Sequence, residues 1–313
     1  MPKKSEPWTG GQIIRATWKV ISFCISILML IISSYIFFSI IGAFIPPTLE
    51  KGNVAVIPIT GLISTGEGTT FTPGTDSADI IDLIEEADKN KEIKAILLEI
   101  DSPGGTPVAT DEISNAVKNV NKTTVAVIRE SGASGAFWIA TSANRVFANR
   151  MSITGSIGVQ ASRLEFGGLL TDYNVTYRKL TAGRLKDAGS QFRAMTPEEQ
   201  QLFQIMLDKL HTEFIRTVAQ NRNMPEDYVR TLATGFVYLG SEAKDLGLID
   251  ELGGKKEALS YIEKTLNITA EPIEYKKPSG ILSKLSGVTA ENFYQIGRGI
   301  GSVFATDTGA SFT

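Results

Sequence analysis

Two serines stand among small residues in "RESGASGAFWIA", residues 129–140, at the point where a β-like apolar run gives way to a second apolar segment. A serine hydroxyl acts as a nucleophile when a neighbouring base takes its proton. Ser134 is placed where a strand-to-helix turn would present such a nucleophile and offer the following amide to an oxyanion. The same position also suits an ordinary helix N-cap, so local evidence leaves both roles open.

The base for such a serine is not evident, because the chain contains one histidine, His211, and it lies in a helical pattern where a packing role is expected. A lysine can replace histidine when desolvation lowers its pKa toward the working pH. Lys186 lies in the polar, glycine-flanked stretch "TAGRLKDAGS". Most lysines are solvated surface residues, so this stretch alone does not distinguish a base from a surface lysine.

A third stretch, "DSPGG" at residues 101–105, follows a predicted strand and precedes a predicted helix. Paired glycines permit backbone conformations that other residues resist, and an amide at a helix start carries partial positive charge. Such an amide can stabilise a developing oxyanion. A simple strand-to-helix turn explains the motif equally well when it is taken alone.

Composition excludes several other kinds of chemistry. The 313 residues carry 31 Lys and Arg against 34 Asp and Glu, a net charge of −3, so we expect no nucleic-acid partner. The single cysteine, Cys24, cannot form an intrachain disulfide, and the chain lacks a Cys/His set for zinc. We expect neither a metal nor a cofactor.

The stretch from Val20 to Phe44 contains no charged residue and is long enough to cross a bilayer as a helix. It exceeds the usual length of a signal-peptide apolar region, which favours an anchor over a cleaved signal. The basic residues before it outnumber the single acid, Glu6, so the positive-inside rule predicts a cytoplasmic N-terminus and an extracytoplasmic remainder.

From Val54 onward, short β-branched runs alternate with helical periodicity, which predicts an α/β layered fold with a largely parallel sheet. The clearest helix starts at Thr196, with Pro197 in its first turn and Glu199 completing a capping box. Its apolar stripe is expected to be core, and it consists of Leu202, Met206, Leu210, Phe214 and Val218.

Taken together, "DSPGG", "ASGAFWIA", "ITGSIGV", "AGRLKD" and "VYLGSEAKDLGLIDELGG", in this order, resemble the SppA family of membrane-anchored signal peptide peptidases. The resemblance covers roughly residues 52 to 275. It implies a crotonase-like (ClpP-like) fold and a serine protease with a Ser/Lys dyad. "AFW" replaces the tyrosines common after the family's nucleophile, which affects the expected shape of the pocket, where Phe137 and Trp138 would lie.

Matched position by position, the resemblance implies that Ser134 is the nucleophile and Lys186 the general base. Ser156 matches a serine that orients the lysine amine, and the backbone amides of Gly105 and Gly135 match the oxyanion hole. Ser131 matches no catalytic position. In the family's short form, the resemblance also implies a homo-oligomeric ring in which the nucleophile and the base meet between subunits; pairing within one subunit stays open.

The expected organisation is a cytoplasmic N-terminus (1–19), a transmembrane anchor (20–45), an extracytoplasmic peptidase domain (52–275) and a loosely ordered tail (278–313). The implied substrates are remnant signal peptides and similar apolar peptides. Three alternatives remain: a protease of the stomatin-partner type, which the lack of further membrane spans disfavours, an acyl-CoA enzyme of crotonase type, and a catalytically inactive peptide-binding scaffold.

Overall fold

The computed structural model describes residues 10–44, 52–66 and 74–277. The chain divides into two compact units, Met1–Lys51 and Gly52–Thr313. In the first unit, the helix α1 (Gly10–Phe44) contains one segment, Thr17–Tyr35, that is long and apolar enough to cross a membrane. The predicted end of the anchor at residue 45 and the predicted loose tail from residue 278 lie outside the described residues.

The second unit alternates strands and helices, as the sequence pattern predicts. Its strands are β1 (Val54–Ser64), β2 (Gly74–Asp76), β3 (Ala95–Gly105), β4 (Thr123–Ala133), β5 (Arg145–Ala148), β6 (Ile153–Gly155), β7 (Val237–Leu239), β8 (Glu251–Leu252) and β9 (Pro272–Glu274). Its helices are α2 (Ser77–Lys89), α3 (Pro107–Lys118), α4 (Gly135–Thr141), α5 (Gly167–Asp172), α6 (Pro197–Arg222), α7 (Glu226–Leu232), α8 (Gly240–Asp245) and α9 (Lys255–Leu266).

The strands form one sheet with the order β2-β1-β3-β4-β5-β8, in which β9 pairs with β1 and β6 pairs with both β4 and β7. Every described pairing is parallel except that of β6 with β7. Parallel sheets require crossover connections that cover their faces, which accounts for the near-continuous apolar run of β3. The prediction of an α/β fold with a largely parallel sheet is confirmed, and the architecture is consistent with a ClpP-like, crotonase-like layered fold.

Both faces of the sheet are buried. One face contributes Ile57 and Leu98 to a large core that also includes Ile113 of α3 and Phe214 of α6. The other face packs Val56, Leu97 and Val127 against α9, through Ala258 and Ile262. These layers fix the positions of the strand ends, and the carboxyl ends of neighbouring parallel strands are where loops can meet to build a site.

The helix α6 has the predicted capping box: Glu199 N donates to Thr196 Oγ1, and Thr196 N donates to Glu199 Oε2. Its apolar stripe is only partly core. Phe214 and Val218 are buried, whereas Leu202 and Met206 are 45% and 47% exposed. The prediction that the whole stripe is core was therefore wrong for its first half, because the described residues of a single chain place no covering layer over that half.

Candidate active site

Ser134 lies in the junction between β4 and α4, and its backbone is strained there. It has φ 53° and ψ −125°, the conformation of the first central residue of a type II′ turn, where glycine normally stands. A non-glycine residue in such a region costs about 1–3 kcal/mol, which the surrounding structure must offset. Its amide donates to Gly155 O at 2.8 Å and its carbonyl accepts from Trp138 N at 3.0 Å. The junction is held by its backbone, which leaves the side chain available.

The Ser134 hydroxyl does not cap the helix that follows it. Ser134 occupies the N-cap position of α4, yet its side chain makes no capping hydrogen bond. It is half-buried, and within the described parts of the chain its hydroxyl has no hydrogen-bond partner. The alternative of an ordinary N-cap serine is therefore disfavoured, and the strained turn presents an uncommitted hydroxyl.

The "DSPGG" segment ends directly beside this turn. A Cβ added to Gly104 would lie 2.8 Å from Gly135 N and 2.9 Å from Ser134 Cβ, and Gly104 has φ 106°. A Cβ added to Gly135 would lie 3.3 Å from Gly105 N. The two amides predicted to form the oxyanion hole thus belong to adjacent backbone segments next to the Ser134 side chain. Gly104, which the sequence reasoning did not single out, makes this close approach possible.

The Gly105 backbone is held from its other side by β1. Ile63 pairs with Gly105, and Thr106 N donates to Ile63 O at 2.9 Å. A Cβ on Gly105 would lie 1.8 Å from Ile63 O, so only glycine fits at this position. Nearby, Ser102 Oγ accepts from Gly104 N at 3.0 Å and donates to Gly61 O at 2.6 Å, which braces the turn.

Ser156 is brought next to the same junction by strand pairing. Ala133 of β4 lies opposite Gly155 of β6, so the residues that follow, Ser134 and Ser156, leave neighbouring parallel strands at the same edge. Ser156 also has a positive φ of 52°. Its amide donates to Phe236 O at 3.0 Å, and its hydroxyl donates to Gly235 O at 3.1 Å. The structure therefore places Ser156 by the junction with its hydroxyl bonded to backbone.

Lys186 forms no hydrogen bond with either serine in the described residues of one copy of the chain. It lies in the segment from residue 160 to 196, which precedes α6, and it is exposed. Within the described chain, its amine forms no hydrogen bond and no ion pair. The desolvation that a lysine base requires is absent from a single copy of the chain, so the geometry unites Ser134, Ser156, Gly105 and Gly135 but leaves Lys186 apart.

Phe137 and Trp138 do not line a substrate pocket, contrary to the expectation. Phe137 is fully buried and Trp138 is 8% exposed. Trp138 stacks on Phe214 with a centroid distance of 4.9 Å, and its indole Nε1 donates to Ser114 Oγ at 3.1 Å. Both aromatic side chains are core residues of α4, because the helix turns this face toward α6 and α3.

His211 has a structural contact rather than a place beside Ser134. Its Nε2 lies 3.2 Å from Ile157 O, a carbonyl that also accepts from Gly235 N at 3.1 Å. The contact ties α6 to the segment that follows Ser156. This agrees with the expected packing role of His211.

Replacing Gly135 by alanine tests the close packing at the oxyanion segment. The new Cβ would lie 2.3 Å from Thr110 Oγ1, an atom that is buried and has no partner among the described residues. The turn must shift, and we expect a fall in kcat of about 10²-fold, the scale of losing one oxyanion-hole donor. Adding Thr110→Ala removes the clash and should restore most of kcat. Steady-state kinetics measure kcat for the single and the double variant. An unchanged kcat in Gly135→Ala would contradict the assignment.

Comparisons with known proteins identify the family to which the chain belongs. Residues 116–269 match the model of peptidase family S49. The "Putative protease" of Methanocaldococcus jannaschii is 33% identical over 241 residues, covering 76% of this chain and 77% of that protein. The "Putative signal peptide peptidase SppA" of Enterococcus faecium is 31% identical over 239 residues, covering 73% and 70%. "Serine protease SPPA, chloroplastic" of Arabidopsis thaliana is 30% identical over 248 residues, covering 76% of this chain and 37% of that protein.

The family match includes Ser134, Ser156 and Lys186 within residues 116–269. Gly105 lies before the matched range, in the segment that the structure places against Ser134. The chain belongs to peptidase family S49, the SppA family, and is a serine protease.

Proposed function

We propose that this protein is a membrane-anchored serine endopeptidase with a Ser134/Lys186 dyad, and that it hydrolyses remnant signal peptides and similar apolar peptides after export. The observation that carries the proposal is the strained, uncommitted Ser134 beside the Gly104-Gly105 turn. Backbone strain is common at functional sites, where a strained turn holds a reacting atom such as a serine oxygen in a fixed position.

The proposed reaction is acyl transfer. Neutral Lys186 takes the Ser134 proton, and the serine oxygen attacks the peptide carbonyl while the Gly105 and Gly135 amides stabilise the tetrahedral anion. The lysine ammonium then protonates the leaving amine, which gives an acyl-enzyme and the first product. Water attacks the ester with Lys186 again as base, and the second product, an acid, leaves with Ser134 regenerated.

Lys186 is proposed to reach Ser134 across an interface between two copies of the chain. Two observations support this. The amine is exposed and unpaired within the described residues of one copy. The segment that carries it also exposes large apolar side chains, including Tyr173 at 76% and Leu180 at 102%, and the first half of α6 exposes Leu202 and Met206. Burial of that surface against a second copy would supply the desolvation that a lysine base needs.

The anchor is proposed to be α1, with the N-terminus in the cytoplasm and the catalytic unit outside. Support comes from the apolar segment Thr17–Tyr35, from Lys3, Lys4 and Arg15 before it, and from Lys19 near its N-terminal end. A catalytic unit tethered at the membrane surface would meet apolar peptides left there after export, which is the reason for the proposed substrate class.

The test uses the full chain in detergent micelles, incubated with an apolar signal-sequence peptide and, separately, with a folded soluble protein. We expect the enzyme to cleave the apolar peptide and to leave the folded protein intact. We also expect a peptidyl phosphonate to form a single adduct, which maps to Ser134. A properly assembled protein that neither cleaves nor reacts would overturn the proposal and favour a peptide-binding scaffold. Hydrolysis of an acyl-CoA without any adduct on Ser134 would overturn it in favour of a crotonase-type enzyme.

A further inference from the structure

We propose that Arg193 is a positioning residue for the reaction: it holds the turn that carries Lys186 and offsets the negative charge of Asp187, the residue next to that lysine. This inference rests on the proposed role of Lys186 as the general base. It gives a role to the cluster of ion pairs that joins the 160–196 segment to α6.

The turn that carries Lys186 has little to hold it besides polar contacts. None of the residues from 183 to 190 is buried. Three backbone hydrogen bonds of 3.0–3.1 Å close successive tight turns, from Lys186 N to Gly183 O, from Ala188 N to Leu185 O and from Ser190 N to Asp187 O. Without an apolar core, the position of the turn depends on what its side chains contact.

Arg193 makes that connection. Its guanidinium donates two hydrogen bonds to the Asp187 carboxylate, from Nε to Oδ2 at 3.1 Å and from Nη2 to Oδ1 at 3.1 Å. Nη2 also donates to the backbone carbonyl Asp187 O at 3.2 Å. It also reaches Glu199 through Nη1 to Oε2 at 2.9 Å and Nη2 to Oε1 at 2.5 Å. Glu199 is 3% exposed and belongs to the capping box of α6. Planar, bidentate pairs of this kind fix orientation as well as charge. Arg193 therefore fastens the Lys186 turn to a rigid helix end.

The cluster is also balanced in charge. Asp187 Oδ2 accepts from Lys179 Nζ at 2.6 Å, so two acids, Asp187 and Glu199, face two bases, Arg193 and Lys179. Hydrogen bonds from Arg193, and then from Lys179, lower the pKa of Asp187 to about 2. Arg193 likewise lowers the pKa of Glu199 to about 2. Both carboxylates are ionised at any pH where a lysine base could work.

An ionised carboxylate next to Lys186 opposes catalysis unless it is compensated. A nearby negative charge favours the ammonium form and raises the pKa of a lysine, whereas a general base must be neutral. By holding Asp187 in a bidentate pair, Arg193 limits this effect while it positions the turn. Arg193 thus fixes the geometry of the turn and balances the charge of the carboxylate that follows Lys186.

Most of the remaining charged groups around the turn are paired with one another or with backbone, whereas Arg178 is exposed and has no partner among the described residues. The paired groups are Arg184 and Glu198, which forms an ion pair with Arg184, together with Arg163, which donates to Ser190 O, and Glu165, which lies 3.7 Å from Arg163. Arg184 makes no contact with Asp187, yet it carries the same charge on the same segment. It is the matched control for Arg193.

The experiment measures the pH dependence of kcat/KM for the full chain in detergent with an apolar peptide substrate. In Arg193→Gln, we expect the midpoint of the rising limb to move up by about 0.5 to 1 pH unit, which lowers kcat/KM at neutral pH by about three- to ten-fold. Adding Asp187→Asn removes the uncompensated carboxylate and should move the midpoint back down. Arg184→Gln should keep the wild-type midpoint, and Arg193→Lys, which retains the charge, should stay close to it.

Circular dichroism and light scattering confirm folding and assembly for each variant. If Arg193→Gln fails to assemble, the single variant Asp187→Asn tests the inference instead. Removing the carboxylate while Arg193 is intact should lower the pH midpoint of the rising limb of kcat/KM. A wild-type midpoint in Arg193→Gln, or an equal shift in Arg184→Gln, overturns the inference. Activity retained in Lys186→Ala would instead overturn the proposed function, so the two failures are distinguishable.

Discussion

Replacing Ser134 by alanine should abolish peptide hydrolysis, lowering kcat by about 10⁴-fold or more, the scale seen when a serine nucleophile is removed. The variant keeps Cβ, and therefore the strained turn, but loses the oxygen that attacks the carbonyl. The backbone bonds from Ser134 N to Gly155 O and from Trp138 N to Ser134 O do not involve the hydroxyl. Steady-state hydrolysis and intact-mass labelling with a peptidyl phosphonate both check this, and labelling should disappear.

Ser131→Ala is the matched control. Ser131 lies three residues earlier, in β4, and its backbone amide donates to Asp101 Oδ1 at 3.1 Å, a contact that alanine retains. Its activity and labelling should equal those of the wild type. An adduct that persists in Ser134→Ala, or one that is lost in Ser131→Ala, would assign the nucleophile to another residue.

Ser134→Gly separates chemistry from backbone strain. Glycine adopts a φ of 53° without the steric cost that a Cβ imposes. This variant should be as inactive as Ser134→Ala but more stable, by about 1 kcal/mol, which is the lower end of the cost of such a conformation. Thermal unfolding of the two inactive variants measures the difference, and equal stability would mean that the turn is not strained.

The positions of the strand ends that build this site could be predicted from the sequence, because they depend on where local apolar runs stop. Apolar runs that stop at "DSPGG" and "ESGAS" predict strands followed by turns, and the parallel order of β1, β3 and β4 follows from alternation with helices. Pairing in a parallel sheet then brings Gly105, Ser134 and Ser156 to one edge. The sequence was less informative about Gly104, whose importance appears only where two turns approach each other.

Side-chain burial was harder to predict, because it depends on which elements cover each face. Phe137 and Trp138 were predicted to shape a pocket, yet both are buried in α4. Leu202 and Met206 fit a core stripe by periodicity, yet they remain exposed on α6. The link from Arg193 to Asp187 and Glu199 spans a turn and a helix end. Charge spacing alone does not predict such a cluster, although the four charged residues within positions 187–199 were a visible signal.

Lys186→Ala should be as inactive as Ser134→Ala, because Lys186 is the only base in the proposed mechanism and a serine that keeps its proton attacks poorly. The loss should appear in kcat and in phosphonate labelling alike, with assembly unchanged, since the Lys186 side chain contributes no hydrogen bond or ion pair to the described fold. Arg178→Ala, which removes an exposed cation from the same segment, is the control and should retain activity.

Mixing the two inactive variants decides where the dyad forms. If Ser134 and Lys186 meet between subunits, an assembly of equal parts Ser134→Ala and Lys186→Ala contains interfaces in which an intact serine faces an intact lysine. Random assembly through one repeated head-to-tail interface gives about one quarter of the wild-type sites. Such sites require one contribution from each neighbour, so recovered activity should vanish on dissociation. If the dyad forms within one subunit, every copy in the mixture lacks one member of its own dyad, so the mixture should be as inactive as its components. That result would contradict the shared-site arrangement.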